Sequence, residues 1–300
     1  MRPLRHGSAV RVRRAGPRAA GGQERTQRLC LVLAPRDGRA RRLPRLDAPR
    51  RHPPRVRQPL QEVGACAMRL VDLSMTVEEC DSAPFAKDEY YFKIKPIVRW
   101  EERGFVSNCV EMTVHAGTHI DSPHHFFRDR PGIEALPLEA MIGDALVLDL
   151  TFKGTPKARI TPEDLERAEQ ALAAESIRIT PGAILLLRTD WPRGHVTTDP
   201  KWWDESPCLT KAAAEWLVAR RPSVLGFDFA QEEKGADYEK AGEILTSGMR
   251  VHRTILPRVV FQIENLTNLD QIPSRVKVIA LPAKWKTESA PARVVALVEE

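Results

Sequence analysis

The chain has 300 residues and a formal net charge of +6, from 46 Lys+Arg against 40 Asp+Glu. The charge is not evenly spread. Residues 1–67 hold 17 Arg, no Lys and four acids (Glu24, Asp37, Asp47, Glu62), a net of +13, so residues 68–300 carry −7. A basic globular domain is excluded, and with it an anionic partner for the main body of the chain.

Residues 1–67 also lack Phe, Trp, Tyr, Ile and Asn, while all 18 aromatics lie downstream. Without large apolar side chains this Arg/Pro-rich stretch cannot offset the entropy of ordering itself, and it reads as a disordered extension. Four origins compete for it. It suits a nucleic-acid-binding arm, because Arg neutralises phosphates. It suits a transit peptide, being Arg-rich and acid-poor. A secretory signal fits poorly: no apolar run follows the pair Arg13-Arg14, and the longest one, Leu29–Ala34, has six residues, too few for a membrane span. The fourth origin is a GC-rich leader read in frame, since the missing residue types use AT-rich codons. Met68 then opens the protein and its first strand, and this is the expectation adopted.

The five cysteines (Cys30, Cys66, Cys80, Cys109, Cys208) are odd in number and form no C-x-x-C pair. They predict free thiols in a reducing cytoplasm.

From residue 68 onward, apolar runs of strand length recur at Leu70–Leu73, Cys109–Val114, Ala145–Leu150, Ala183–Leu187, Val224–Phe227, Val259–Ile263, Val276–Leu281 and Val294–Val298. Thr161-Pro162-Glu163-Asp164 is a helix start, predicting a helix to about Ala174. Thr210 caps a second helix within Leu209–Arg220, with Ala213, Trp216 and Leu217 on one face, and residues 134–141 read as a weaker third. The spacings do not repeat as βαβ units. The expected fold is one α/β domain over residues 68–300, with a mixed, mostly antiparallel sheet or barrel.

Four of the eight histidines fall between residues 115 and 125. Gly117 and Pro123 break regular structure, so the stretch reads as a strand running into a tight turn and loop, and the turn lets His115, His119 and Asp121 converge. Two imidazoles and a carboxylate form a ligand set for Zn²⁺, Mn²⁺ or Fe²⁺. No thiolate is present, and three protein ligands with an open position is the catalytic pattern.

His115-x-Gly117-Thr118-His119-x-Asp121-x-Pro123-x-His125 resembles the signature of the metal-dependent cyclase superfamily, which includes bacterial kynurenine formamidases, isatin hydrolases and polyketide-associated cyclases. The resemblance continues through Pro181–Thr189 before Trp191, Pro207–Asp228, Ile263–Leu266, Leu281–Lys284 and Ser289–Arg293. It implies a swivelling β/β/α fold with a central mixed sheet or barrel flanked by helices, assembled as a homodimer or higher homo-oligomer. It implies that His115, His119 and Asp121 bind one metal. Asp121 and Glu264 would bridge to a second, completed by His252, with His125 as general acid/base in preference to His124. Two Zn²⁺ ions or one Mn²⁺ fit that pattern.

The reaction implied is metal-dependent hydrolysis of a carbon–nitrogen amide bond in a small molecule. Arylformamidase activity on N-formylkynurenine, in tryptophan catabolism, leads. Lactam or lactone ring opening and polyketide-type cyclisation follow, and the rival of another class is nucleic-acid binding through the Arg-rich arm. Neither nucleic acid nor membrane is the expected partner, and the expected place is the cytoplasm. The segment before the metal loop is longer than in kynurenine formamidases, and no residue maps onto the tryptophan that borders their substrate.

Weaker candidates are His195, as a loop residue near the substrate or on the surface, and Trp202-Trp203, as a lid or as packing. Asp228 reads as an outer support for a ligand histidine or as a turn residue. Gln231–Glu239 reads as a solvated loop.

Overall fold

The computed structural model describes residues 68–79, 91–195, 199–232, 249–258 and 261–299. The extension over residues 1–67, and most of the acidic stretch Gln231–Glu239, lie outside the described residues.

The apolar runs become strands. In chain order the elements are β1 (Met68–Asp72), β2 (Phe92–Val98), α1 (Trp100–Arg103), β3 (Ser107–Met112), β4 (His119–Asp121), β5 (Ile142–Asp149), β6 (Arg159–Ile160), α2 (Pro162–Ala174) and β7 (Ile184–Arg188). There follow α3 (Pro200–Asp204), β8 (Cys208–Leu209), α4 (Lys211–Ala219), β9 (Val224–Phe227), α5 (Arg250–Ile255), β10 (Phe261–Glu264), β11 (Arg275–Pro282) and β12 (Ser289–Glu299).

Seven strands close into a barrel-like ring in the order β12-β11-β5-β7-β9-β10-β4, and β4 pairs back onto β12. The eleven-residue β12 makes closure possible. Its first residues pair with β4, the middle with β11, and its end also holds β1 on the outside. The sheet is mixed: β5, β7, β9 and β10 run parallel, and the remaining pairings are antiparallel.

The parallel pairs β5–β7, β7–β9 and β9–β10 are joined through α2, α4 and α5, so three βαβ crossovers are present where the spacing predicts none. The inserted β6, α3 and β8 make the intervals unequal and hide the repeat. The 134–141 helix is also absent. Two 3₁₀ turns, Ile133–Ala135 and Leu138–Ala140, stand there instead. Pro137 disfavours a helical Leu136, whose ψ is 123°. The two principal helices start as expected: Asp164 accepts from the Thr161 N–H at 2.8 Å, and Thr210 Oγ1 from the Ala213 N–H at 3.1 Å.

Strand alternation separates two cores. Ala145, Val147, Ile184, Leu186, Val224 and Ile263 face into the barrel. Leu146, Leu148, Leu185, Leu187, Leu225 and Phe227 face outward, under α2, α4 and α5. At Gly226 the barrel has no room for a side chain: a Cβ would lie 2.7 Å from Leu186 and 2.8 Å from Leu266. Trp202 belongs to the outer core and is fully buried, so it is packing and no lid.

The run Cys109–Val114 foreshadows β3, but its partner β2 is not legible in the sequence. Ile94 and Val110 share one exposed face, while Lys95 and Glu111 pair on the other. Pro96 and the mixed charge dilute the period-two pattern of β2. Among the described residues, no helix is long and apolar enough to cross a membrane.

Asp228, at the end of β9, ties down the end of β7. Its Oδ1 and Oδ2 accept from Thr189 N at 2.8 and 3.0 Å, Oδ1 from Thr189 Oγ1 at 2.7 Å, and Oδ2 from Asp190 N at 2.9 Å. It holds a loop rather than a ligand histidine. Burial pushes its carboxyl up to about 7, opposed by the bonds from Thr189 and Asp190. Truncation would strand these donors in the interior. Asp228→Ala should cost about 3 kcal/mol in urea unfolding, at about 1–3 kcal/mol for each unsatisfied group. It should leave the histidine cluster in place.

Candidate metal centre

Barrel closure builds the candidate site. Ile120, in the middle of β4, points into the apolar interior. Its neighbours His119 and Asp121 therefore point out. On β10, Ile263 faces inward, so Gln262 and Glu264 face out. Register then sets His119 opposite Glu264, and Asp121 opposite Gln262. The expectation of a loop through 119–121 is corrected here: these residues are a strand, pinned by β10 on one side and β12 on the other. Gly117 and Pro123 end the strand without dissolving it.

The remaining groups arrive from loops and from α5. His115 lies in the turn before β4, where Gly117 takes a φ of +66°. The Gly117 carbonyl is 2.8 Å from His119 Nδ1 and accepts from Asn265 Nδ2 at 2.9 Å. Thr118 Oγ1 donates to the Asn265 carbonyl at 2.6 Å. This lattice fixes the His119 ring with Nε2 directed at the carboxylates. His125 sits in a 3₁₀ turn, Pro123–His125. His252 comes from α5, flanked by Val251 and Ile255, which anchor that helix in the outer core.

Asp121 is the hub. Its Oδ1 lies 3.1 Å from His115 Nδ1 and 3.5 Å from His119 Nε2. Its Oδ2 lies 3.8 Å from His252 Nε2 and 4.0 Å from His125 Nε2. Glu264 is the second carboxylate: Oε2 is 3.6 Å from His119 Nε2, and Oε1 is 2.9 Å from His252 Nε2. Oε1 also accepts from Gln262 Nε2 at 2.6 Å and from Gln231 Nε2. All six expected residues, His115, His119, Asp121, His125, His252 and Glu264, thus meet at one place. His124 does not join them; it is exposed, with Nδ1 3.1 Å from the Arg130 carbonyl.

The electrostatics follow from burial. Burial alone would raise the Asp121 carboxyl, but His115 and His119 beside it hold it well below the ordinary carboxylate range. Burial and Asp121 push Glu264 up, and the bond from His252 outweighs them, leaving it lowered. Burial opposes charge on His252, yet Glu232 and Glu264 raise its pKa well above the ordinary imidazole value. Burial likewise opposes charge on His115, and Asp121 prevails. At His125 burial wins, with Asp121 too distant to offset it, and the pKa falls to about 4.

Two sets bring ligand atoms within 4.8 Å of one another: His115, Asp121 and His125, and His119, Asp121 and Glu264. Both oxygens of Asp121 and Nε2 of His119 are buried without an aligned hydrogen bond. Polar atoms in that condition are costly unless something binds them. Imidazole nitrogens and carboxylate oxygens around a shared point fit a divalent cation.

Several residues at the site escape a reading of the sequence. Gln262 lies two before Glu264, a period-two relation that marks the same strand face. Gln231 and Glu232 fall in the stretch read as a solvated loop. Gln231 is in fact buried against Glu264, and Glu232 bonds to His252. His195 stacks on Trp191 at 3.7 Å between ring centroids, and Asp228 contacts none of the six.

Comparison with known proteins gives a consistent picture. A kynurenine formamidase from Salinibacter ruber is 24% identical over 229 residues, spanning 76% of this chain and 97% of its own length. The structure of isatin hydrolase A from Labrenzia aggregata, bound to benzyl benzoate, superposes with a TM-score of 0.65. It has 26% identity and covers 78% of this chain and 95% of that one. A structure described as a "predicted metal-dependent hydrolase" from Bacillus stearothermophilus gives a TM-score of 0.58 at 25% identity, over 77% of this chain and 99% of that one. The family model described as "Putative cyclase" matches residues 71–234, more than half of the sequence, and the chain belongs to that cyclase family.

Proposed function

We propose that the protein is a metal-dependent hydrolase that opens a carbon–nitrogen amide bond in a small molecule, with arylformamidase activity the leading case. One observation carries this reading. Two buried carboxylates, Asp121 and Glu264, share their oxygens among four imidazoles, and three of the facing atoms lack a hydrogen bond.

His115, His119 and Asp121 would hold one ion. Glu264 and His252 would complete a second, with Asp121 common to both; two Zn²⁺ or one Mn²⁺ suit these donors. A bound divalent ion supplies a water of lowered pKa and polarises the substrate carbonyl. The chain itself must then move a proton. His125, neutral at pH 7, can take one at Nε2 and return it to the departing nitrogen. Gln262 and Gln231 hold Glu264 Oε1 in place with their amide N–H groups.

A formyl amide is supported by the kynurenine formamidase relative, and lactam opening by the isatin hydrolase neighbour. Both are attacked at an amide carbonyl, so one arrangement of residues serves either. A panel of N-formyl, lactam and lactone substrates, run beside elemental analysis, decides between them. Absence of a stoichiometric divalent metal would overturn the reading.

Two outcomes test the roles. His125→Ala should keep the metal and lower kcat by about 10²–10⁴-fold, while His124→Ala should change neither; the reverse ranking would sink the assignment. The high His252 pKa places a proton where the ion must bind, so binding should release it. Metal affinity should therefore rise with pH through the ordinary imidazole range and well above it, and calorimetry in buffers of different ionisation enthalpy should show the released proton.

A further inference from the structure

Among the described residues, His252 is the imidazole of the cluster whose far nitrogen has a carboxylate at hydrogen-bond distance; His115 Nε2 lies 3.9 Å from Glu288 Oε1. Glu232 Oε1 lies 2.7 Å from His252 Nδ1 and also accepts from the His252 backbone N–H at 2.7 Å. Its other oxygen accepts from the Val251 N–H at 3.3 Å. One side chain therefore holds both the ring and the stretch of backbone that carries it. Phe126 stacks on the His252 ring at 5.0 Å between centroids and limits its rotation.

This arrangement decides the tautomer. A carboxylate only accepts, so Nδ1 must carry a hydrogen. In the neutral ring Nε2 then has a lone pair, directed at Glu264 Oε1 at 2.9 Å and at Asp121 Oδ2 at 3.8 Å. A lone pair facing two carboxylate oxygens is repelled, so this position takes a proton on Nε2 or, in its place, a metal cation. A carboxylate on the outer nitrogen of a ligand histidine fixes ring orientation and raises its basicity.

We infer that Glu232 is a positioning residue: it fixes His252 as the Nδ1–H tautomer and aims Nε2 at the metal position shared with Glu264 and Asp121. The inference rests on the metal-dependent reading above. Glu232 touches none of the reacting atoms and acts only through His252.

The test uses Zn²⁺ and the full chain. In zinc-loaded wild type with ¹⁵N-labelled histidine, His252 should show a protonated Nδ1 and a metal-bound Nε2; a protonated Nε2 would overturn the proposal without any variant. By chelator competition, Glu232→Ala should bind zinc at the His252 position 10–100-fold more weakly. Glu232→Gln, which keeps an acceptor oxygen for Nδ1–H, should recover most of that loss. Wild-type affinity in folded Glu232→Ala, or no recovery in Glu232→Gln, would overturn the positioning role alone. A wild type that takes up no zinc would overturn the metal reading and the positioning role together.

Discussion

Two carboxylates are buried almost side by side on the outer face of a closed barrel, and the rest of the structure is organised around tolerating them. Asp121 is fully buried, and Glu264 nearly so. Removing an ionised carboxylate from water costs several kcal/mol unless charge and hydrogen bonds repay it. Here repayment comes from every direction. Four imidazoles approach Asp121, two amides donate to Glu264, and His252 is itself braced by a third carboxylate. Among the described residues, both Asp121 oxygens and His119 Nε2 remain without a partner, as does Gln262 Oε1 on the strand beside them. Imperfect satisfaction concentrated at one point is an arrangement that could hold a cation.

What the amino-acid order discloses depends on how local each feature is. His115, His119 and Asp121 lie within seven residues, so their convergence is visible as a spacing. Strands such as β5, β7 and β9 are visible because burial on both faces makes them continuously apolar. Strand β4 escapes notice because its three residues are His, Ile and Asp, polar on one face for chemistry and too short to show a period. Glu264 and His252 are reachable only through the family resemblance, since nothing local ties them to residue 121. Gln231 and Glu232 look like surface residues because they sit beside other polar residues; what removes them from water is α5, which arrives from elsewhere in the chain.

The relatives share this chain's fold and its hydrolytic setting, at identities of 24–26%. Folds of one family carry different substrates on one scaffold, and specificity is lodged in whatever borders the site. The segments leading into β2 and out of β9 lie partly outside the described residues, and connecting segments of this kind are where members of one fold vary.

The placement of β4 has a kinetic corollary. Strand β4 is held through partners far away in sequence: Thr118 bonds to Asn265, 147 residues on, and the Ile120 carbonyl accepts from Ser289, 169 residues on. Loops of that span close late, after local helices and hairpins have formed. A slip of one residue in β4 would turn Ile120 outward and bury His119 and Asp121 in hydrocarbon. The last zipper of the barrel is thus also its proofreading step: only the correct pairing gives the charges a home, so a misaligned chain is penalised at the moment it tries to shut.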